Sequence, residues 1–242
     1  MRKGSDVYSF QICPYYVLKD KFVPAFSLAG CERSIVECMK RFPKHIGIIP
    51  DGNRRWAERN GLKKEGGYEY GLEPGLRLLR AARSCGVQEL TYYGFTVDNC
   101  KRPKEQVNAF SKACVEAVKM IEQENVELYV IGNTDSPCFP AGLLPYTDCG
   151  RRCGDKKETL RVNFLVNYGW EWDMKNGWAS SEIPRIDMVI RWGGMCRLSG
   201  FLPIQTVYAD FYIIKELWPD FREEQFTEAL EWYQKQDITL GG

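Results

Sequence analysis

Short apolar runs alternate with helical patterns from residue 45 onward, and this alternation constrains the fold more than any other feature of the chain. Strands that alternate with helices indicate βαβ units and hence a mostly parallel sheet with crossover helices. We therefore predict an α/β fold, with one domain built on a central, mostly parallel six-stranded sheet flanked by helices. The predicted strands are 46–49, 90–95, 126–131, 160–166, 186–192 and 207–213.

The 242 residues include no Gly/Ser linker and no long charged run that would divide the chain. We predict a single catalytic domain over residues 45–242 and an N-terminal extension over residues 1–44, which is rich in aromatic residues and ends in a helical stretch. Phe22, Phe26 and Leu28 of the extension are expected to pack onto the domain, with contact to a membrane surface as the alternative.

The chain is almost neutral, with 33 basic and 32 acidic residues and a net charge of +1. This balance argues against a nucleic-acid partner. No apolar run approaches the roughly 18 residues that cross a bilayer, and the N-terminus lacks the apolar core of a signal peptide. We expect a cytoplasmic protein, with transient peripheral membrane contact left open.

Ten cysteines are scattered through predicted strands and helices, so we interpret them as mostly reduced thiols. Only Cys149 and Cys153 have the spacing of metal ligands. Because His45 is the sole histidine, a disulfide or a plain loop is favoured there over a zinc site.

The first predicted strand leads directly into Asp51, Gly52 and Asn53. A carboxylate can ligate Mg²⁺, glycine lets the backbone approach a ligand, and the start of the following helix offers free N–H groups to an anion. The segment therefore suits a metal-bound diphosphate, although a Gly-Asn pair after a strand is also an ordinary turn.

Arginines follow three of the predicted strands. Ligands of open α/β sheets bind beyond the carboxyl ends of the strands, and arginine binds phosphate oxygens in pairs. Together with the loop 95–99 and Asp51, these arginines predict a phosphate-binding crevice, with solvated surface arginines as the alternative. The arginines are Arg54 and Arg55 after the first strand, Arg102 after the second, and Arg191 and Arg197 after the fifth.

Other nucleotide and nucleophile sites are not supported. The chain has no Gly-x-Gly-x-x-Gly after a strand and no P-loop motif. His45 precedes the first strand, at the sheet end opposite the predicted crevice, which argues against a covalent triad. Catalysis is expected to depend on a metal, arginines and positioning.

Five separated motifs occur in a characteristic order: Asp51-Gly-Asn-Arg-Arg-Trp56, Tyr93-Gly-Phe-Thr-Val-Asp-Asn-x-x-Arg102-Pro103, Asn167-Tyr-Gly169, Arg191-x-Gly-Gly-x-x-Arg197-Leu-Ser199-x-Phe201 and Trp218-Pro-Asp-Phe221. In these motifs the chain resembles the cis-prenyltransferases, the family of undecaprenyl and dehydrodolichyl diphosphate synthases. The resemblance covers roughly residues 45 to 235.

The resemblance implies a Mg²⁺-dependent transfer of an allylic prenyl group to isopentenyl diphosphate. It assigns catalytic roles to Asp51, Asn53 and Asn99 and implies that Asp51 and Asp210 hold the metal, with Asp210 also contributing to the acceptor side. Trp56 and Phe95 are expected to border an apolar tunnel for the growing chain. The implied substrate-binding residues are Gly52, Arg54, Arg55, Trp56, Lys64, Tyr68, Phe95, Thr96, Asp98 and Arg102, with Arg191, Arg197 and Ser199 at the acceptor diphosphate.

The chain departs from the family pattern around the diphosphates. Tyr68 stands where a histidine is usual, Lys64 replaces an arginine, Cys100 a tryptophan and Met195 a glutamate, while Asp98 and Asp210 replace glutamates. The stretch between Trp172 and Arg185 is shorter than in long-chain members, and residues 238–242 lack the family's Arg-x-Gly tail.

From these departures we predict a short-chain enzyme with relaxed acceptor use, including non-head-to-tail coupling of two allylic diphosphates. We expect a homodimer. The alternative is the catalytic subunit of a heteromeric polyprenyl diphosphate synthase, which would need a partner chain.

Overall fold

The computed structural model describes residues 41–148 and 159–237. The predictions for the N-terminal extension up to residue 40, for Cys149 and Cys153, and for the C-terminal segment 238–242 lie outside the described residues.

Six parallel strands form one sheet in the order β3-β4-β2-β1-β5-β6, which confirms the predicted α/β architecture. All neighbouring pairs are parallel, so the sheet is more regular than the predicted mixture. The last two strands begin later than their apolar runs. The strands are β1 His45–Ile49, β2 Glu89–Thr96, β3 Val126–Ile131, β4 Leu160–Tyr168, β5 Met188–Arg191 and β6 Asp210–Ile213.

Helices connect the strands and supply most of the covering layer. Their apolar residues recur at helical spacing, as predicted, and bury one face of each longer helix. The helices are α1 Asn53–Arg59, α2 Leu72–Ser84, α3 Lys104–Glu122, α4 Trp170–Lys175 and α5 Glu223–Gln234. Short 3₁₀ segments occur at Lys64–Gly71, Val97–Lys101, Ala141–Tyr146 and Trp218–Asp220.

The two faces of the sheet bury separate apolar clusters. On one face Leu78, Val118 and Phe226, from α2, α3 and α5, pack onto strand residues. The other face is covered by short α4 and by irregular chain, including Ile183 and Phe201. The first face therefore has a layer of long helices and the second has a thinner layer.

The amino edge of the sheet holds a buried polar network. His45 contacts the Thr91 hydroxyl at 2.8 Å, and Asn163 donates to Glu89 at 2.7 Å and to Thr91 at 3.0 Å. These side chains satisfy one another inside the protein and leave the opposite, carboxyl edge for ligand-binding loops.

Candidate active site

Three loops meet at the carboxyl edge because β1 lies between β2 and β5. Ile48 pairs with Tyr92 on one side, and Ile49 pairs with Arg191 on the other. Asp51 follows β1 by two residues and so lies between the segment after β2 and the loop after β5. The structure thus brings the predicted loops into one crevice.

Two arginines hold the Asp51 carboxylate. Arg191 Nη2 lies 2.8 Å from Asp51 Oδ2, and Arg55 Nη2 lies 3.3 Å from Asp51 Oδ1. Arg55 also donates to the Gly193 carbonyl at 3.0 Å. The carboxylate is about a third exposed, at 32%, and can therefore still reach a ligand from the solvent side.

Two glycines make this close approach sterically feasible. Gly52 has φ +117°, and a Cβ there would lie 2.8 Å from the Leu217 side chain. Gly193 has φ +87°, and a Cβ there would lie 2.5 Å from Arg55 Nη2. Both positions combine a left-handed backbone with a close neighbour, so larger residues would push apart the loops that carry Asp51.

Arg191 links Asp51 to the loop after β5. Its Nη1 donates to the Ser199 hydroxyl at 3.0 Å and to the Arg197 carbonyl. The side chain is only 4% exposed, and its Nε has no hydrogen-bond partner among the described residues. A buried guanidinium that still has a free N–H donor, next to the exposed Arg197, suits a second anionic group.

On the opposite side of Asp51, two arginines have neutral partners. Arg54 donates to the amide oxygen of Gln106 at 3.3 Å, and Arg102 donates to the Tyr68 hydroxyl at 3.0 Å. Burial, together with the charge of Arg54, lowers the pKa of Arg102. Neither hydrogen-bond partner neutralises these charges, so this side attracts an anion.

An apolar cavity opens beside these arginines. Asn53, Tyr68, Gly75 and Trp218 are among its lining residues, and the lining continues along α3 to Met120 and Ile121. Tyr68 stacks on Phe110 with the ring centroids 4.4 Å apart and the planes at 4°. Because Tyr68 both lines the cavity and accepts from Arg102, a space suited to a hydrocarbon chain adjoins one of these arginines.

The short 3₁₀ segment Val97–Lys101 follows β2 and contains Asn99, whose side chain is largely buried. Thr96 and Asn99 form a reciprocal cap, in which the Asn99 side-chain oxygen accepts from Thr96 N and the Thr96 hydroxyl accepts from Asn99 N, each at 3.2 Å. Cys100 donates to Asn167 at 3.2 Å. The cap uses the Asn99 side-chain oxygen, so its NH₂ group remains for a ligand.

The two aromatic residues predicted to border the tunnel are not among the residues that line this cavity, so their role stays a prediction. Trp56 donates to Asp220 at 2.7 Å and packs on Tyr70, away from the cavity. Phe95 is fully buried and lies behind the lining residue Phe110 at 5.1 Å. Helix α1 turns Trp56 outward, and an irregularity in the β2 register around Gly94 places Phe95 in the core.

Asp210, which was predicted to hold the metal together with Asp51, lies at the opposite end of the sheet. It pairs with Met188 at the beginning of β6 and forms an ion pair with Arg41 at 2.8 Å. This is the amino edge of the sheet, whereas Asp51 follows the carboxyl end of β1. Within one chain, therefore, Asp210 cannot share a metal with Asp51.

Two further predicted binding residues are engaged at the surface. Lys64 forms an ion pair with Glu58 at 3.1 Å, and Asp98 forms one with Lys101 at 2.6 Å. The Asp98 side chain is 81% exposed. Their contact with a substrate stays a prediction.

Several site residues have no clear signal in the sequence. Gln106 orients Arg54, and Trp218 lines the cavity while donating to the Gly71 carbonyl at 2.8 Å. Phe110 belongs to an ordinary amphipathic pattern, so only the observed packing separates it from core residues. Trp218 lies in a family motif, which was the one available indication.

The donor set fits Mg²⁺ held jointly by protein and substrate. Among residues 41–148 and 159–237, no three His, Cys, Asp or Glu side chains cluster as a metal site. Mg²⁺ commonly uses one or two carboxylates together with substrate phosphates. Asp51, between cationic groups that would hold those phosphates, provides this kind of partial site.

No helix in the described part of the chain combines the length and apolar character that a bilayer crossing requires.

Comparisons with known proteins agree with this architecture. The family model described as putative undecaprenyl diphosphate synthase matches residues 49–182 and 175–241. An isoprenyl transferase of Clostridium acetobutylicum is 33% identical, over 83% of this chain and 90% of that protein. The (2E,6E)-farnesyl-diphosphate-specific ditrans,polycis-undecaprenyl-diphosphate synthase of Pasteurella multocida is 30% identical, and the match covers 83% of this chain and 95% of that protein.

Two solved structures share the fold. Lavandulyl diphosphate synthase from Lavandula x intermedia, in complex with dimethylallyl diphosphate, matches with a TM-score of 0.69 and 22% identity, over 83% of this chain and 99% of that one. A probable undecaprenyl diphosphate synthase from Campylobacter jejuni matches with a TM-score of 0.63 and 21% identity, and the match covers 84% of this chain and 100% of that one. On the family-model match and the sequence relatives, this chain is a prenyltransferase and belongs to the undecaprenyl diphosphate synthase family, the cis-prenyltransferases.

Proposed function

We propose that this enzyme uses Mg²⁺ to transfer a short allylic prenyl group from its diphosphate to isopentenyl diphosphate. The observation that carries the proposal is an apolar cavity whose lining includes Pro50, the residue before Asp51, and Tyr68, whose hydroxyl accepts from Arg102. This arrangement suits a molecule with a diphosphate head and a hydrocarbon tail.

In the proposed reaction, the allylic C1–O bond breaks, C1 bonds to the terminal alkene carbon of the acceptor, and a proton leaves the acceptor's C2. Bound Mg²⁺ would neutralise the departing diphosphate. Asp51 would hold the metal, while Arg54, Arg55 and Arg102 would stabilise the same developing negative charge. The apolar walls exclude water, which protects the reactive allylic carbon from hydrolysis.

The two asparagines offer different chemistry. Asn53 donates to the Pro50 carbonyl at 3.1 Å, which fixes its amide orientation and leaves a buried Oδ1 without a partner among the described residues, beside the cavity. That amide oxygen can accept a hydrogen bond but is too weak a base to take a proton, so the departing diphosphate would take the acceptor's C2 proton and Asn53 would orient the reacting groups. Asn99 has only its NH₂ group left, and we assign it to substrate orientation.

The cavity length supports a short product. The lining residues of α3 extend from Phe110 to Ile121, which is about 16 Å of helix at about 1.5 Å per residue. An isoprene unit contributes four carbon–carbon bonds of about 1.5 Å each, or about 5 Å along the chain. A prenyl chain lying along this whole span of α3 would comprise about three units.

The test supplies purified enzyme and Mg²⁺ with dimethylallyl or geranyl diphosphate, with and without isopentenyl diphosphate. Products of about two to four isoprene units are expected, because a chain along the lined span of α3 would comprise about three. Release of very long polyprenols alone would contradict the short-chain proposal. Absence of any turnover, in the presence of a folded protein, would contradict the activity itself.

We propose relaxed acceptor use because Met195 removes a carboxylate from the loop that carries Arg191 and Ser199. A product formed from dimethylallyl diphosphate alone would reveal coupling of two allylic substrates. The lavandulyl diphosphate synthase structure, which contains dimethylallyl diphosphate, motivates the reaction with this substrate alone, although the two proteins are similar in fold alone. Strict dependence on isopentenyl diphosphate would overturn the proposal of relaxed use.

We also propose a homodimer, formed through the thinner layer of the sheet. Ile204, Val207, Tyr208 and Phe211 are large apolar residues, 36% to 63% exposed, within and just before the edge strand β6. A contiguous exposed apolar patch of this kind typically marks an interface. Light scattering should give twice the chain mass; a monomer that gains activity only with a second, different chain would favour the heteromeric alternative.

A further inference from the structure

Tyr92 and Tyr93 are neighbouring buried tyrosines whose side chains point to opposite faces of the sheet, as strand alternation requires. Tyr92 donates to the Gly75 carbonyl at 2.9 Å on the cavity wall. Tyr93 donates to the Ser199 carbonyl at 2.9 Å. One strand therefore supports the donor cavity through one hydroxyl and the loop after β5 through the next.

The loop after β5 has an unusual backbone. Ser199 has φ 54° and Leu202 has φ 32°, and Gly200 between them has φ 81°. Residues with side chains seldom adopt positive φ unless the surrounding structure holds them there. The conformation of Ser199 therefore depends on its contacts.

Aromatic residues beneath this loop supply those contacts. The Tyr93 ring packs against Phe201, with centroids 5.2 Å apart, and against Tyr168 at 6.3 Å. A Cβ added to Gly200 would lie 3.0 Å from Trp170 Cδ1 and 3.5 Å from the Tyr93 hydroxyl oxygen. The loop thus rests directly on the Tyr93 hydroxyl.

Ser199 is held from two directions. Arg191 donates to its hydroxyl at 3.0 Å, and Tyr93 donates to its carbonyl. Burial raises the pKa of Tyr93, so the phenol remains protonated and able to donate at neutral pH. Removal of the hydroxyl would leave the Ser199 carbonyl without this donor and free the loop to relax.

We propose that Tyr93 is a positioning residue for the acceptor diphosphate, because its hydroxyl fixes the backbone of Ser199 next to Arg191. This inference rests on the proposed function and on the predicted acceptor-diphosphate residues Arg191, Arg197 and Ser199. It also predicts that the two neighbouring tyrosines of β2 affect different substrates: Tyr93 the acceptor, and Tyr92 the allylic donor whose cavity it lines.

The test compares Tyr93→Phe with its neighbour Tyr92→Phe, since each change removes one buried hydroxyl from the same strand. Tyr93→Phe should raise the KM for isopentenyl diphosphate about five- to tenfold, the effect of one hydrogen bond, with kcat and the allylic KM nearly unchanged. Tyr92→Phe should leave the acceptor KM unchanged.

A binding measurement separates this proposal from the proposed function. Isopentenyl diphosphate with Mg²⁺ is titrated into each protein while tryptophan fluorescence is followed, because Trp170 adjoins Gly200. Tyr93→Phe should weaken binding by the same factor as the KM rises. If the wild-type protein binds but catalyses no prenyl transfer, the proposed reaction fails while this titration still decides the role of Tyr93.

An unchanged dissociation constant in Tyr93→Phe would overturn the proposal, as would equal weakening of both substrates or no binding to the wild-type protein. If Tyr93→Phe does not fold, Gly200→Ala tests the same contact from the loop side. It should raise the acceptor dissociation constant and leave the allylic one unchanged, and the opposite pattern contradicts the proposal.

Discussion

Arg191 donates to Asp51 Oδ2 at 2.8 Å, which joins the end of β5 to the residue that we expect to hold the metal. The same guanidinium donates to Ser199 at 3.0 Å. One buried cation therefore contacts both halves of the crevice, and any ligand that draws it toward the acceptor side also alters the surroundings of Asp51. The proposed donor and acceptor sites would therefore be connected through Arg191.

Arg191→Gln should reduce kcat/KM for isopentenyl diphosphate by about 100- to 1000-fold, since truncation of a buried charged partner costs roughly 2–5 kcal/mol. Steady-state kinetics with each substrate varied in turn measure the loss. Arg222→Gln is the control, because this arginine is 60% exposed, lies outside the predicted diphosphate-binding residues and pairs with Glu216 at 3.7 Å, so the change should cost little. Equal losses in the two variants would contradict the bridging role.

Asp51→Asn should abolish most metal-dependent turnover, by about 1000-fold or more, because the metal and its ligands stabilise the leaving diphosphate. Asparagine still accepts from Arg191, and the position is a third exposed, so the unfolding free energy should change by less than about 1 kcal/mol.

Thermal melts provide the independent readout for Asp51. Mg²⁺ with an unreactive allylic diphosphate analogue should raise the Tm of the wild-type protein and not that of Asp51→Asn, because a ligand that binds only the native state stabilises it. Equal shifts in both proteins would show that Asp51 does not hold the metal.

The sequence predicted the fold well because the alternation of strands and helices follows from side-chain periodicity. It predicted the crevice around Asp51 because loops at the carboxyl ends of parallel strands converge only when the strands are neighbours. Strands β1, β2 and β5 are neighbours in this sheet. The position of Phe95 could not be predicted, because the register irregularity near Gly94 turns its side chain to the same face as Tyr92, where it packs against Phe110. Asp210 was misjudged because its role depends on which end of β6 it occupies.

Side-chain changes along α3 should alter product length in opposite directions. Ala117→Phe fills the middle of the cavity and should shorten the main product by about one isoprene unit, or about 5 Å of chain. Met120→Ala opens the far end and should lengthen it. Chromatography of dephosphorylated products measures both changes.

The control for these variants is Glu116→Phe, which places the same phenylalanine side chain on the exposed side of α3 next to Ala117. Its product distribution should match that of the wild-type protein. An unchanged distribution in both Ala117→Phe and Met120→Ala would mean that the growing chain does not occupy this cavity.

The buried network at the amino edge should make stability depend on pH. Burial lowers the pKa of His45 from 6.5 to about 4. Its Nδ1 lies 3.1 Å from the Arg185 carbonyl, which can only accept, so Nδ1 carries the proton and Nε2 accepts from Thr91. The folded protein therefore holds neutral His45.

Because the unfolded chain binds this proton near pH 6.5 and the folded protein only near pH 4, stability should be complete above pH 6.5 and fall as the pH decreases between these values. The loss is roughly 3 kcal/mol, from 1.36 kcal/mol per pKa unit. Urea unfolding at several pH values measures it. His45→Gln removes the only histidine of the chain. Between pH 6.5 and 5 few carboxylates titrate, so the unfolding free energy of the variant should not change with pH in this range. An unchanged slope would show that another group binds the proton on unfolding.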